Sequence, residues 1–231
     1  MTIFAFDTYI IICNDMDETK KQMPAKYVIT VGRTFGSGGR ALGKLIADKL
    51  GIAYYDKELL SQAAAKAGMS AEYFEQNDER APSFFSGIFS FNHGYNPVAY
   101  FAGPSSISSD GIYQAQCEFI HEIAEKGPCV IVGRTSDYVL RDMDNVVNIF
   151  VHAPIECCVK RIVERSESLS EERARAMAER TNKVRSAFYN FYTDKVWGAA
   201  SSYDLTIDSS TMTLDKVADY IIEYVRLRLA K

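Results

Sequence analysis

One stretch constrains the fold more than any other: Tyr27-Val-Ile-Thr-Val-Gly-Arg-Thr-Phe-Gly-Ser-Gly-Gly-Arg40. The β-branched run Val28, Ile29, Thr30 and Val31 predicts a buried strand. Gly32, Gly36, Gly38 and Gly39 break that run, and Leu42, Leu45, Ile46 and Leu50 then share one helical face. Strand, glycine loop and helix form a layout that wraps a phosphate. The glycines let the loop N–H groups turn inward, and the helix N-terminus adds a partial positive charge. Gly36, Ser37, Gly38, Gly39 and Arg40 are therefore candidate phosphate-binding residues. The competing reading is a glycine-rich turn with no ligand.

The stretch departs from the pattern G-x-x-x-x-G-K-[ST]. With the last glycine on Gly38, Arg33 stands where the first glycine belongs, Gly39 at the lysine and Arg40 at the Ser/Thr position. The lysine that touches the β/γ-phosphates and the hydroxyl that meets magnesium are both replaced. Arg40 could bring a guanidinium to the phosphates, and Ser37 or Thr34 a hydroxyl.

With 231 residues and 47% hydrophobic content, the chain can bury a sizeable core as one α/β domain. A net charge of −4 argues against general DNA or RNA binding. Five cysteines form no C-x-x-C pair and suit a reduced, cytoplasmic protein. Ile3 to Cys13 is apolar, but it is too short to span a membrane and has no basic residue ahead of it. Residues 1–26 read as an N-terminal extension.

Along the chain, Gly51 to Asp56 predicts a helix stop and a short strand ending in an acid, and Lys57 to Ala67 a helix. Asp56 thus lies where open α/β sheets place ligands, or caps the following helix. Ala81 to Ser109 has no Asp, Glu, Lys or Arg but is dense in aromatics, from Phe84 to Phe101. This insertion, about 81–110, reads as a flap over a site or as a surface for a homodimer partner. Ile112 to Lys126 has helical spacing, Cys129 to Val132 and Val146 to Val151 are strands, and a helix opens near Ile155. Asp204 to Ile207 is a last strand, and Leu214, Val217, Ala218, Ile221, Ile222 and Val225 mark the final helix. Alternating βα units favour a mostly parallel sheet covered on both faces.

Between Val159 and Trp197 lies a basic helical region. Glu171, Glu172 and Arg175 fit a solvated face laced with i, i+4 pairs. Arg180, Lys183 and Arg185 fit it less well, because Ser186 to Thr193 supplies no acids and is dominated by Phe188, Tyr189, Phe191 and Tyr192. Cations without local partners suit an anionic ligand, and phosphoryl transfer needs such cations.

Gly32 to Gly43, Tyr54-Tyr-Asp-Lys-Glu58, Val132-Gly-Arg134 and Tyr203-Asp-Leu-Thr-Ile-Asp-Ser209 together resemble the cytidylate kinase-like family, a branch of the nucleoside monophosphate kinases. The resemblance runs from about Lys26 to the C-terminus. It implies a three-layer α/β/α P-loop fold with a five-stranded parallel core and a basic helical lid over about 166–198. It also implies ATP with Mg²⁺ as phosphoryl donor and a nucleoside monophosphate, CMP or dCMP, as acceptor. Under it Gly36, Ser37, Gly38, Gly39 and Arg40 form the phosphate loop, and Asp56 lies near the acceptor nucleotide. Arg134 meets the acceptor phosphate, and Arg180, Lys183 and Arg185 fall in the lid. Thr135 replaces the family's cytosine-reading aspartate, and Asp137 follows two residues later as a candidate substrate contact. A nucleotide-binding regulatory module without kinase activity is the alternative that the loop leaves open.

Overall fold

The computed structural model describes residues 23–56, 106–166 and 169–230. The expected helix over 57–67 and most of the aromatic insertion lie outside them, with residues 1–22 of the extension. The described strands are β1 (Val28–Arg33), β2 (Ala53–Tyr55), β3 (Cys129–Val132), β4 (Val146–His152) and β5 (Leu205–Asp208). The helices are α1 (Gly39–Leu50), α2 (Ser106–Lys126), α3 (Ser136–Val139), α4 (Ile155–Glu164), α5 (Glu171–Tyr192) and α6 (Leu214–Leu229). The first turn of α2 begins inside the stretch read as a flap or interface insertion, so its last residues, 106–110, are helical.

The strands form one sheet in the order β2-β3-β1-β4-β5, every pair parallel. This is the five-stranded parallel core expected from the sequence. Alternation along β1 divides the core. Ile29 and Val31 face α1 and α6 with Leu42, Ile46, Val217 and Ile221, whereas Val28 faces α2 and α3 with Phe119, Ile120 and Leu140. Full burial of a side chain such as Leu42 or Ile221 contributes roughly 1.5–3 kcal/mol. Helices thus cover both faces, as a parallel sheet requires.

A third apolar cluster joins α4 to α5 through Val159, Ile162, Ala174 and Ala178. Small alanines let the two helices approach closely, and Phe35 of the glycine loop packs against this seam. Ser170 caps α5 by accepting from the Arg173 N–H, with Glu171 and Glu172 complementing the helix dipole in its first turn. Among the described residues no helix is long and apolar enough to cross a membrane.

Beyond β1 the chain runs to β2 and β3 on one side, and beyond β3 it crosses to β4 and β5 on the other. The C-terminal ends of β1 and β3 therefore frame the crevice where such sheets hold ligands.

Candidate functional site

The glycine loop leaves the end of β1 and enters α1 as the sequence suggests. Gly36 (φ 82°) and Gly38 (φ 84°) are left-handed, a conformation that a Cβ would strain. Gly38 caps α1 without a side-chain hydrogen bond, and the first turn holds no acid. The N–H groups of Gly36 and Gly38 find no acceptor among the described residues. Such a helix start is suited to an anion.

The loop is fixed from outside. Asn182 of α5 accepts from the Phe35 N–H at 2.7 Å, and Ser37 Oγ donates to the Thr34 carbonyl at 2.9 Å. Arg161 of α4 donates to the Ser37 carbonyl at 2.8 Å, to Ser209 Oγ at 3.0 Å and to the Ser209 carbonyl at 2.8 Å. One guanidinium thus ties the glycine loop to the end of β5. In the sequence Arg161 is only one of many helical cations; the fold makes it a latch.

Arg33 closes β1, and its side chain runs through a slot bounded by two glycines. A Cβ on Gly39 would lie 2.6 Å from Arg33 Cβ, and one on Gly133 only 1.9 Å from Arg33 Nη1. No hydrogen-bond acceptor holds the guanidinium among the described residues. Sequence reasoning passed Arg33 over as a misplaced glycine. The signal that could have found it is the pairing of an arginine at the glycine position with a glycine at the lysine position.

Gly133, Arg134 and Thr135 follow β3 with φ of 82°, 65° and 53°. Two consecutive left-handed non-glycine residues each cost about 1–3 kcal/mol, strain that collects at functional sites. The turn is held by Thr135 Oγ1, which donates to the Arg134 carbonyl at 2.6 Å and pairs with the Tyr113 hydroxyl at 3.0 Å. Gln116 of α2 accepts from Arg134 Nη1 at 3.0 Å and positions the guanidinium. Asp56, buried at the end of β2, accepts from Arg40 Nε at 2.8 Å and from the Tyr54 hydroxyl at 3.3 Å. Asp56 therefore aims Arg40.

Of the basic residues on α5, the fold brings Arg185 to the crevice. Its Nη1 donates to the Arg33 carbonyl at 3.2 Å, and its guanidinium lies over the Phe35 ring. Arg180 and Lys183 are exposed on the opposite side of the helix and are not brought together with Arg185 here. The reason is the helical period: Asn182, Arg185 and Tyr189 share one face, and residues 180 and 183 point away from it. Asp137 is taken up in a contact within the fold. Its buried carboxylate accepts from the Tyr189 hydroxyl at 2.6 Å and joins α3 to α5.

Arg33, Arg40 and Arg134 thus lie near one described carboxylate, Asp56, and Arg185 lies beside Arg33. Burial lowers Arg33 to about 10, with the charge of Arg40 adding to the effect against Tyr54 and Asp56. Burial, and then the charge of Arg33, lowers Arg134 to about 10. Burial and Arg33 also lower Arg185. Arg33 and Arg134 remain charged at neutral pH, in a partly dry site where like charges repel. An anion with several oxygens would relieve that repulsion.

The sequence profile described as "Cytidylate kinase-like family" matches residues 28–211, which include every residue of this cluster. The chain belongs to that family. A cytidylate kinase from Pyrococcus horikoshii is 28% identical over 186 residues, spanning 80% of this chain and 81% of the relative. One from Methanosarcina barkeri is 26% identical over 200 residues, spanning 84% and 93%. The crystal structure of an uncharacterized protein from Eubacterium ventriosum is similar with a TM-score of 0.64 and 28% identity, over 87% of this chain and 98% of that one. Membership in this family supports a nucleotide kinase.

Proposed function

We propose that the protein transfers the γ-phosphoryl group of ATP to a nucleoside monophosphate, with CMP and dCMP as the acceptors to which the family points. The observation that carries this reading is the convergence of Arg33, Arg40, Arg134 and Arg185 on the glycine loop at the sheet's C-terminal edge. The N–H groups of Gly36 and Gly38 and the start of α1 would hold the donor's phosphates. Arg134, set by Gln116, would hold the acceptor phosphate, and Arg185 would face the group in transit. An oxygen of the acceptor's phosphate bonds to the γ-phosphorus as the bond from that phosphorus to the β–γ bridging oxygen breaks. The electron pair of the broken bond stays on ADP. The attacking oxygen is already ionised, so no general base is needed, and positioning with charge stabilisation carries the rate.

Mg²⁺ enters with ATP as part of the donor. Asp56 is bound to Arg40 and Tyr54, and the described residues include no group of three or more acids, histidines or cysteines able to cage an ion. Such a metal is held chiefly by substrate phosphates and water.

The test is ADP release from ATP·Mg²⁺ with each nucleoside monophosphate in turn. Release stimulated by CMP or dCMP is the expected outcome. ATP binding without release, whatever the acceptor, would instead mean a regulatory nucleotide-binding module.

A further inference from the structure

The glycine loop lacks its usual lysine, and the slot occupied by Arg33 explains how it can do without one. A side chain at position 39 would start 2.6 Å from Arg33 Cβ and 3.1 Å from Arg33 Cγ, with Val151 Cβ at 3.3 Å on its other side. The stem of Arg33 therefore fills the space in which a lysine at position 39 would begin. These two side chains exclude one another.

At its far end the guanidinium lies against Gly133, whose missing Cβ leaves room for it. Arg185 adds a hydrogen bond to the Arg33 carbonyl, so the backbone from which the side chain springs is fixed. The charged head has neither ion pair nor hydrogen bond among the described residues, although Arg40 beside it is matched by Asp56. A held stem, and a cation near Asp56 that makes neither ion pair nor hydrogen bond among the described residues, are the features of a group kept for a ligand.

We infer that Arg33 takes the part of the absent loop lysine: delivered from the end of β1 rather than from the start of α1, its guanidinium contacts the donor's β- and γ-phosphate oxygens. This inference rests on the phosphotransferase reading. As the bond between the γ-phosphorus and the bridging oxygen breaks, the electron pair left on ADP lies beside a fixed positive charge. A guanidinium can also make two parallel hydrogen bonds to phosphate oxygens, where an ammonium acts as a point charge.

The experiment exchanges the two positions. R33Q, G39K and R33G/G39K are compared with the unmodified protein for ADP release, for affinity toward ATP and tripolyphosphate by calorimetry, and for thermal unfolding. R33Q is expected to lower kcat by about 10²–10³-fold while the acceptor KM changes little. G39K alone collides with the Arg33 stem and loses activity. R33G/G39K, with the cation returned to α1, recovers to within about tenfold of the unmodified protein. A folded R33Q that keeps its kcat overturns the inference, as does a double variant no more active than R33Q.

If R33Q does not fold, G39A serves: its methyl pushes the stem aside, and an unchanged kcat overturns the inference. If the unmodified protein binds ATP but transfers nothing, the phosphotransferase reading fails by itself. Arg33 is then judged by affinity. A loss of about tenfold or more for tripolyphosphate in R33Q upholds its phosphate contact, and equal affinity overturns it.

Discussion

At the scale of single residues, the site is a set of arginines, of which Arg40, Arg134 and Arg185 are held by hydrogen bonds and Arg33 by the packing of its stem. Gln116 fixes Arg134 through the Nη1 hydrogen bond and donates back to the Arg134 carbonyl at 3.4 Å. Arg134→Ala is expected to lower kcat/KM by about 10²–10³-fold, and Gln116→Ala by about tenfold, because the second only loosens a guanidinium that the first removes. Steady-state kinetics with the acceptor varied would check the order, and a Gln116→Ala effect larger than that of Arg134→Ala would contradict it. The pH profile follows from the same groups. Arg33 and Arg134 lie near about 10 in the free protein, so kcat/KM should fall as pH rises through that value. Bound phosphates favour the charged guanidinium and raise its pKa, so the alkaline limb of kcat should lie at higher pH than that of kcat/KM. Coincident limbs would mean that these arginines do not face the ligand.

At the scale of elements, two contacts hold the crevice together. Arg161 binds the glycine loop to the Ser209 turn through three oxygens. Arg161→Ala takes the guanidinium from the Ser209 carbonyl, while the Ser37 carbonyl keeps the Ser209 hydroxyl as donor, and is expected to cost about 1–3 kcal/mol, measured by urea unfolding. The second contact is the hydrogen bond from Tyr189 to Asp137, between α5 and α3. Tyr189→Phe removes this hydrogen bond, while the backbone N–H groups of Asp137 and Tyr138 and the charge of Lys195 still favour the carboxylate, and should destabilise the fold by about 1 kcal/mol. Burial raises the Asp137 pKa, opposed by the Tyr189 hydrogen bond, so the folded state binds this proton more tightly than the unfolded chain does. Its contribution to stability is therefore largest at acid pH and is lost as pH rises from the ordinary aspartate value through the raised one. The stability difference between Asp137→Asn and the unmodified protein should drift in the variant's favour over that interval. A pH-independent difference would rule out the raised value.

At the scale of the whole molecule, repulsion among the arginines is a cost carried by the ligand-free fold. Polyphosphate binding should therefore raise the melting temperature, by an amount that grows with the logarithm of ligand concentration above Kd. Arg33, Arg40 and Arg185 come from the end of β1, the start of α1 and the third turn from the end of α5. The stabilisation should accordingly be lost in stages as each is neutralised. A melting temperature indifferent to ATP and tripolyphosphate would contradict the site as a whole.

The sequence by itself determined the parallel sheet and its helical covers. Periodicities of two along β1, β3 and β4 and of 3.6 along α1 and α6 are local signals, and burial of those faces enforces them. It also determined the phosphate-loop candidates, because left-handed turns at Gly36 and Gly38 need glycine whatever surrounds them. Tertiary structure decided which charges meet. Arg185 and Lys183 read alike in a basic helix, and only the docking of α5 on the loop through Asn182 turns one inward and the other out. Asp137 reads as a free acid until Tyr189, 52 residues away, is brought onto it. Arg33 reads as a flaw in a motif until Gly39 and Gly133 are seen to form its slot, because a close approach between residues a hundred positions apart leaves no periodic trace in the chain.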